Sequence, residues 1–300
     1  MNDCAVSSPA KVNFFLAVTG RRADGFHDLV SVAAQLELAD TVRLEPAKGE
    51  SDSIVCEMPG VPTDGTNIVL RAARAWREAG GDVPPVRFIL EKKVPPQSGL
   101  GGGSSNAVAA LRGLERVADR PVGAEGIRAI AVSLGSDCAL FFEPGPMIMR
   151  GRGERIEALP TEAAARLRSG ELLLCRPGFG VDTAWAYGQL VRRAPASYLP
   201  EEAAESRVAR WLEAGENDAL SFNSFEAPVW EKFVALPTLA RRLGERHGLK
   251  LRLSGSGSAC FAWLSPGANR EEAGSDVRDA FGSHGLVTVT RIATTEPHGG

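Results

Sequence analysis

No apolar run in the sequence approaches the ~20 residues needed to cross a bilayer. The N-terminus also lacks a charged segment followed by an apolar one, so no secretory signal is visible. A membrane span and export are therefore not expected. The five cysteines (Cys4, Cys56, Cys138, Cys175 and Cys260) lie no closer than the 37 residues from Cys138 to Cys175. That spacing excludes CxxC redox sites and zinc knuckles. An odd, scattered set reads as reduced thiols, which makes the cytoplasm the expected location. Basic excess is missing too: 34 Lys+Arg face 37 Asp+Glu, a net charge of −3. Generalised nucleic-acid binding, which needs a basic face, is not expected. Nor does an acidic cluster mark a metal site made by protein alone, and there is no internal repeat.

What the chain does have is glycine. Its 33 glycines in 300 residues exceed the usual share of about 7% by roughly a dozen. They show no three-residue period, so they are not collagen-like. Hydrophobic residues at 44% and charged residues at 24% suit a folded protein. The length suits two domains. The Pro- and Gly-rich stretch from 144 to 153 marks the expected divide, giving domains 1–150 and 151–300.

Val12, Phe14, Leu16 and Val18 alternate as in a half-buried strand. Strands are also expected over 30–38, 41–44, 86–90, 138–142, 171–175, 249–253, 259–264 and 286–293. Helical spacing marks 67–78, 107–117, 127–134, 182–191, 201–213, 233–246 and 271–281, with breaks at Pro228 and Pro237. Of the histidines, His247, His284 and His298 fit no pattern and read as surface residues.

Between a strand and a helix lies Val94–Ser105, VPPQSGLGGGSS. Glycine lets backbone approach a ligand closely. At a helix start, unpaired N–H groups and the helix dipole converge on one spot. Together these make a phosphate site, to which Ser104, Ser105 and Asn106 add donors. A linker or tight turn would use the same glycines. The loop is not a Walker A loop, because no Lys follows the glycines, and it lacks the third Gly of GxGxxG. A second small-residue loop, Ser254-Gly255-Ser256-Gly257-Ser258, sits between two strands, where a hairpin-like turn is the plainer use.

Pro9-Ala10-Lys11-Val12-Asn13, the loop Pro95–Asn106 and the segment Leu253–Ala259 together resemble the three motifs of the GHMP kinases, in order along the chain. The string Thr19–Leu29, TGRRADGFHDL, is similar to the branch of that family acting on a cytidine diphosphate methylerythritol. Asn67–Ala73 and Leu134–Asp137 look like the same branch. The resemblance runs from about residue 8 to 293.

The resemblance implies an α+β, two-domain fold, its N-terminal half like the second domain of ribosomal protein S5 and its C-terminal half ferredoxin-like. It implies ATP, carried with Mg²⁺, between the halves, and transfer of the γ-phosphate to the 2-hydroxyl of the methylerythritol. ATP contacts are then expected from Pro95, Pro96, Gly99, Leu100, Gly101, Gly102, Gly103, Ser104, Ser105 and Asn106, with the phosphates on the loop 99–105. Lys11 and Asp137 match the family's catalytic pair: a carboxylate can accept the hydroxyl proton and an ammonium steadies charge beside it. Asp137 as a plain turn residue is the alternative. Substrate contacts are expected from Asn13, Phe26, His27, Tyr187, Ser254, Gly255, Ser256 and Gly257. Phe26 and Tyr187 would stack on cytosine, with Trp185 able to replace Tyr187 and His27 reading the base edge. Departures from the family pattern are Phe26 for Tyr, Ser136, Cys138-Ala139, and Ala184 for Pro.

The rivals are another kinase of the family, acting on homoserine or mevalonate, and a nucleotide-binding regulator that has lost catalysis. Asp24-Gly25-Phe26-His27 speaks against the first; retention of both Lys11 and Asp137 speaks against the second. Nothing in the sequence sets an oligomeric state.

Overall fold

The computed structural model describes residues 4–214, 217–265 and 267–294. Two long strands organise the first sheet. β1 (Cys4–Arg21) and β2 (His27–Pro46) pair antiparallel from Cys4–Leu44 to Arg21–His27. Their register shifts between Pro9 and Lys11, between Asn13 and Phe15, and between Val18 and Gly20. Bulges re-aim side chains, and here the first two bracket Lys11 and Asn13. Pro9, unable to donate to a ladder, sits at one of them.

β3 (Ser53–Val55) runs parallel to β4 (Val86–Glu91). The second half of β2 pairs with β4, and its first half pairs with β5 (Met147–Gly151) on the same edge. β6 (Arg155–Ala158) completes a hairpin with β5, so this sheet continues through the expected divide at 150. The chain then forms β7 (Glu171–Arg176) of a second sheet and returns as β8 (Phe222–Asn223), parallel to β1. The second sheet has the order β11–β7–β10–β9, adding β9 (Arg252–Leu253), β10 (Cys260–Leu264) and β11 (Leu286–Arg291).

Helices α1 (Ile68–Glu78), α2 (Gly102–Val117) and α3 (Ala124–Leu134) pack on the first sheet, where Trp76, Leu111 and Leu114 meet Val42, Leu44 and Phe88. The later helices are α4 (Thr161–Arg168), α5 (Thr183–Arg192), α6 (Glu201–Ala214), α7 (Asn217–Leu220), α8 (Glu226–Lys232), α9 (Ala235–His247) and α10 (Arg270–Phe281). Alternation along β7 serves two cores. Leu172 and Leu174 pack with Phe14 and Phe261, while Leu173 and Cys175 pack with Leu236, Leu239 and Val277 beneath the helices. Each such buried side chain stabilises the fold by roughly 1.5–3 kcal/mol. No helix of the described residues is long and apolar enough to cross a membrane.

Several local expectations change. The two strands expected over 30–44 are one continuous β2. Residues 138–142 are not a strand but the end of a 3₁₀ helix, Ser136–Phe142. A short apolar run fits either element, and here every side chain of that run is buried. Pro228 and Pro237 do not break helices; each lies in the first turn of one, where a missing N–H costs nothing. The His247 side chain is only 7% exposed rather than at the surface, its Nε2 2.8 Å from Asp276 Oδ2. His284 is exposed as expected, and His298 lies outside the described residues.

Candidate active site

The glycine-rich loop is half loop and half helix. Its turn ends at Gly101, the N-cap of α2, so Gly102 to Asn106 form the helix's opening turn. Gly101 has φ +69°, and a Cβ there would lie 2.8 Å from Lys11 Cγ and 3.0 Å from Phe141 Cζ. Gly99 has φ +78°, and its Cβ would lie 2.2 Å from the Ser254 carbonyl oxygen. Both conformation and crowding demand glycine at these two positions. α2 has no side-chain cap, which leaves its first amide groups for a ligand.

A buried polar network anchors the loop. Asp40, fully buried, accepts from Lys92 Nζ at 2.5 Å, Asn106 Nδ2 at 2.9 Å, and the backbone N–H groups of Lys93 and Val94 at 2.7 and 2.8 Å. Lys92 Nζ also donates to Asn106 Oδ1 at 3.1 Å. Ser8 Oγ accepts from Asn106 Nδ2 at 2.7 Å and donates to Ser105 Oγ at 2.9 Å. The side chains of Ser105 and Asn106, expected as ligand donors, are thus turned inward and engaged in the network. Asp40 and Lys92 stand one step beyond the Thr41–Glu91 pair of β2 and β4, so strand register brings them together.

Lys11 and Asn13 share one side of β1, two residues apart. Lys11 Nζ lies 2.5 Å from Asn13 Oδ1 and 3.3 Å from Asp137 Oδ2. The lysine is buried, whereas the Asp137 side chain is 36% exposed at the start of the 3₁₀ helix. A buried ammonium needs such partners to offset its lost hydration. Asn13 Nδ2 in turn donates to Ser31 Oγ at 2.9 Å. Burial first, and the Asp137 charge after it, push the neighbouring Cys138 thiol up to about 11, so it stays protonated at neutral pH.

The second small-residue loop meets the first. Ser254 Oγ donates to the Gly99 carbonyl at 3.2 Å, and Ala259 N–H donates to the Ser98 carbonyl at 2.8 Å. Asn223 Nδ2 holds this loop from behind through the carbonyls of Leu253 and Gly255, at 2.9 and 2.8 Å. Ser256 Oγ lies 3.0 Å from Thr183 Oγ1 at the start of α5.

These elements enclose a cavity of about 550 Å³. Of the expected residues, Lys11, Asn13, Pro95, Pro96, Gly99 through Ser104, Asn106, Asp137, Tyr187, Gly255 and Ser256 line it. Ser105, Ser254 and Gly257 lie behind the wall and support it. His27 is one layer back, its ring on Tyr187 with centroids 4.6 Å apart and planes 30° apart. Phe26 departs furthest from expectation. It is 51% exposed at the hairpin tip, with the Arg152 guanidinium 4.7 Å above its ring, and it is not part of the wall. Trp185 packs instead with Phe233 and Lys232, so it does not replace Tyr187. Ser31, Lys92, Gln97 and Thr183, which the sequence did not single out, also line the cavity, as does Ser136, named above as a departure from the family pattern.

Residues 67–144 match the family model GHMP kinases N terminal domain. The chain is 38% identical over 272 residues to a 4-diphosphocytidyl-2-C-methyl-D-erythritol kinase of Granulibacter bethesdensis, across 89% of this chain and 87% of that one. The chain belongs to the 4-diphosphocytidyl-2-C-methyl-D-erythritol kinase family. A member from Mesorhizobium japonicum is 36% identical over 294 residues, covering 96% and 95%. A crystal structure of 4-(cytidine 5′-diphospho)-2C-methyl-D-erythritol kinase superposes with a TM-score of 0.74 at 31% identity, covering 96% of this chain and all of that one. The homoserine kinase of Cytophaga hutchinsonii shares the fold, with a TM-score of 0.71 at 18% identity over 99% and 97% of the two chains. The kinase is thus an α+β GHMP small-molecule kinase, and membership of that family makes ATP its phosphoryl donor.

Proposed function

We infer that this kinase transfers the γ-phosphate of ATP to the 2-hydroxyl of 4-diphosphocytidyl-2-C-methyl-D-erythritol. The observation that carries this is the Lys11–Asp137 pair, 3.3 Å apart on the cavity wall beside the uncapped start of α2. Triphosphate oxygens would lie on the amide groups from Gly101 to Ser104. The substrate hydroxyl would lie by Asp137, and its cytidine toward Tyr187 and His27.

In the reaction the substrate oxygen bonds to the γ-phosphorus, the bond to the β,γ-bridging oxygen breaks, and ADP leaves. Asp137 accepts the hydroxyl proton. Lys11, steadied by Asn13, lies against that carboxylate and balances charge on the transferring group. Phosphoryl transfer has a loose transition state, so alignment of the two substrates contributes much of the rate. The two joined loops supply that alignment.

Mg²⁺ neutralises the β- and γ-phosphates when ATP is bound. Among the described residues no group of three His, Cys, Asp or Glu is placed to hold a metal ion. The donor set fits an ion held chiefly by phosphate and water, with the Ser104 hydroxyl and the Asp137 carboxylate as its protein neighbours.

The test is ADP release and ³¹P NMR with purified protein, ATP, Mg²⁺ and a panel of alcohols. Turnover is expected with the cytidine diphosphate substrate alone, with a new phosphate at position 2. Turnover of homoserine or mevalonate in its place would overturn the assignment.

A further inference from the structure

The second small-residue loop is clamped by one buried amide. Asn223 ends β8, which pairs parallel with β1 at Phe15–Phe222 and Leu16–Asn223. The next residue locks the same segment to β1. Ser224 N–H donates to the Leu16 carbonyl at 2.9 Å, and Ser224 Oγ accepts from Val18 N–H at 2.9 Å. The Asn223 side chain uses both of its ends. Nδ2 donates to the carbonyls of Leu253 and Gly255, and Oδ1 accepts from Phe225 N–H at 2.9 Å. Only this orientation of the amide satisfies all three bonds. Asn223 is not in the cavity wall, whereas Gly255, Ser256 and Phe225 are. Gly255 has φ +56°, and a Cβ there would lie 3.2 Å from Lys11 Nζ. Among the described residues the Ser256 N–H has no hydrogen-bond partner, although Ser256 is buried.

We propose that Asn223 is a positioning residue that holds the Gly255 carbonyl away from the cavity and so turns the Ser256 N–H into it, as a fixed donor to the phosphoryl group in transfer. This rests on the placement of that group beside Lys11 and Asp137. In a trans peptide the C=O and the following N–H point in opposite directions, and the Gly255–Ser256 bond is trans. With the carbonyl drawn back onto Asn223, the N–H takes the opposite side, which is the cavity. The clamp is needed because glycine leaves this peptide free to rotate. A rotated peptide would set its carbonyl against phosphate oxygens, acceptor facing acceptor. A buried N–H without a partner is costly, and a phosphate oxygen supplies the partner. A donor fixed in place before reaction contributes most where charge develops. Asn223 thus acts on the rate without touching either substrate.

Asn223→Asp in the full chain tests this, because it is nearly isosteric and keeps the acceptor for Phe225 N–H. Its second oxygen meets two carbonyls and, when ionised, has no proton to give. At about pH 8, kcat should fall by about 10²–10³, the loss typical of one such donor, with KM for ATP nearly unchanged. Burial against two carbonyls favours the protonated acid, whose O–H can donate to the Gly255 carbonyl. The variant's kcat relative to wild type should therefore recover as pH falls toward about 6. The charged groups touching the clamp are Glu226, which accepts from Arg252 Nη1 at 3.1 Å and Leu253 N–H at 3.2 Å, and Lys11 beside Gly255. Asn223→Leu keeps those groups and removes the amide, so its deficit should not recover at low pH. A merely structural amide would lower the thermal midpoint with no split between kcat and KM and no recovery particular to Asp; that result overturns the proposal. A second readout uses the wild type alone. The Ser256 amide resonance in ¹H–¹⁵N NMR should move downfield when ADP, Mg²⁺ and aluminium fluoride are added with the alcohol substrate, and an unmoved resonance overturns the proposal. If the wild type phosphorylates a different alcohol, the substrate assignment falls and the same ratios are read with that alcohol. If it phosphorylates none, the Ser256 resonance with a β,γ-imido analogue of ATP still decides whether this N–H meets phosphate.

Discussion

Lys11 Nζ stands 3.3 Å from Asp137 Oδ2, and the backbone N–H of the same lysine donates to the Leu100 carbonyl at 2.9 Å. One residue of β1 thus ties the acidic group to the glycine-rich loop. Asp137→Asn keeps the shape and most of the polarity but cannot take up a proton. It should lower kcat by about 10²–10⁴ while changing KM for ATP little. Steady-state kinetics with the cytidine substrate check this, and a kcat near the wild-type value would remove Asp137 as the proton acceptor.

The Asp40–Lys92 pair gives a stability prediction. The Lys92 side chain is only 4% exposed and that of Asp40 0%, so removing one partner strands a largely desolvated charge. Asp40→Ala should destabilise the protein by about 3–5 kcal/mol, visible in thermal or denaturant unfolding. Lys92→Met added to Asp40→Ala should recover only part of the loss. The N–H groups of Lys93 and Val94 and the amide of Asn106 would still lack the acceptor that Asp40 provides. Full recovery would show that the ion pair, and not the backbone bonds, carries the cost.

Two glycines of the same glycine-rich segment, one before α2 and one inside it, should behave differently. Gly99→Ala places a methyl 2.2 Å from the Ser254 carbonyl at φ +78°, so the two loops must separate. A loss of at least about 2 kcal/mol in stability and a steep fall in kcat are expected. Gly103 lies inside α2, and the nearest atom to an added methyl is Ile68 Cγ2 at 4.0 Å. Gly103→Ala should therefore be neutral or stabilising by up to about 1 kcal/mol, through helix propensity. Any defect it causes should appear in KM for ATP, because Gly103 lines the cavity. Equal destabilisation by the two variants would contradict this account.

What could be read from sequence divides along physical lines. Gly99, Gly101 and the α2 N-terminus are contiguous, so their convergence was visible before any folding. Lys11 and Asp137 were visible only through family resemblance, since 126 residues and a 3₁₀ helix separate them. Asp40 and Lys92 were not visible at all, because only the register of β2 against β4 pairs them. Ser105 and Asn106 looked like ligand donors until the network with Ser8 and Asp40 showed where their side chains point. Phe26 was expected to stack on the base only through the family resemblance; at the hairpin tip its ring faces solvent and Arg152.

His27 supplies the pH prediction. Burial and the nearby Arg21 charge lower its pKa from 6.5, and Asp28 opposes them. Above 6.5 the ring is neutral in both folded and unfolded chains, so it adds no pH dependence there. As pH falls below 6.5 the unfolded chain takes up the proton first. The unfolded state then binds more protons than the folded one, and stability declines until the lowered folded pKa is passed. Thermal midpoints between pH 7.5 and 5 should therefore fall less steeply in His27→Gln than in the wild type. The same neutral ring should keep KM for the cytidine substrate constant through pH 6.5 and let it rise only further down. NMR titration of the ring provides the direct check: a midpoint at or above 6.5 would show that Asp28 outweighs burial and Arg21, and would reverse the sign of both effects.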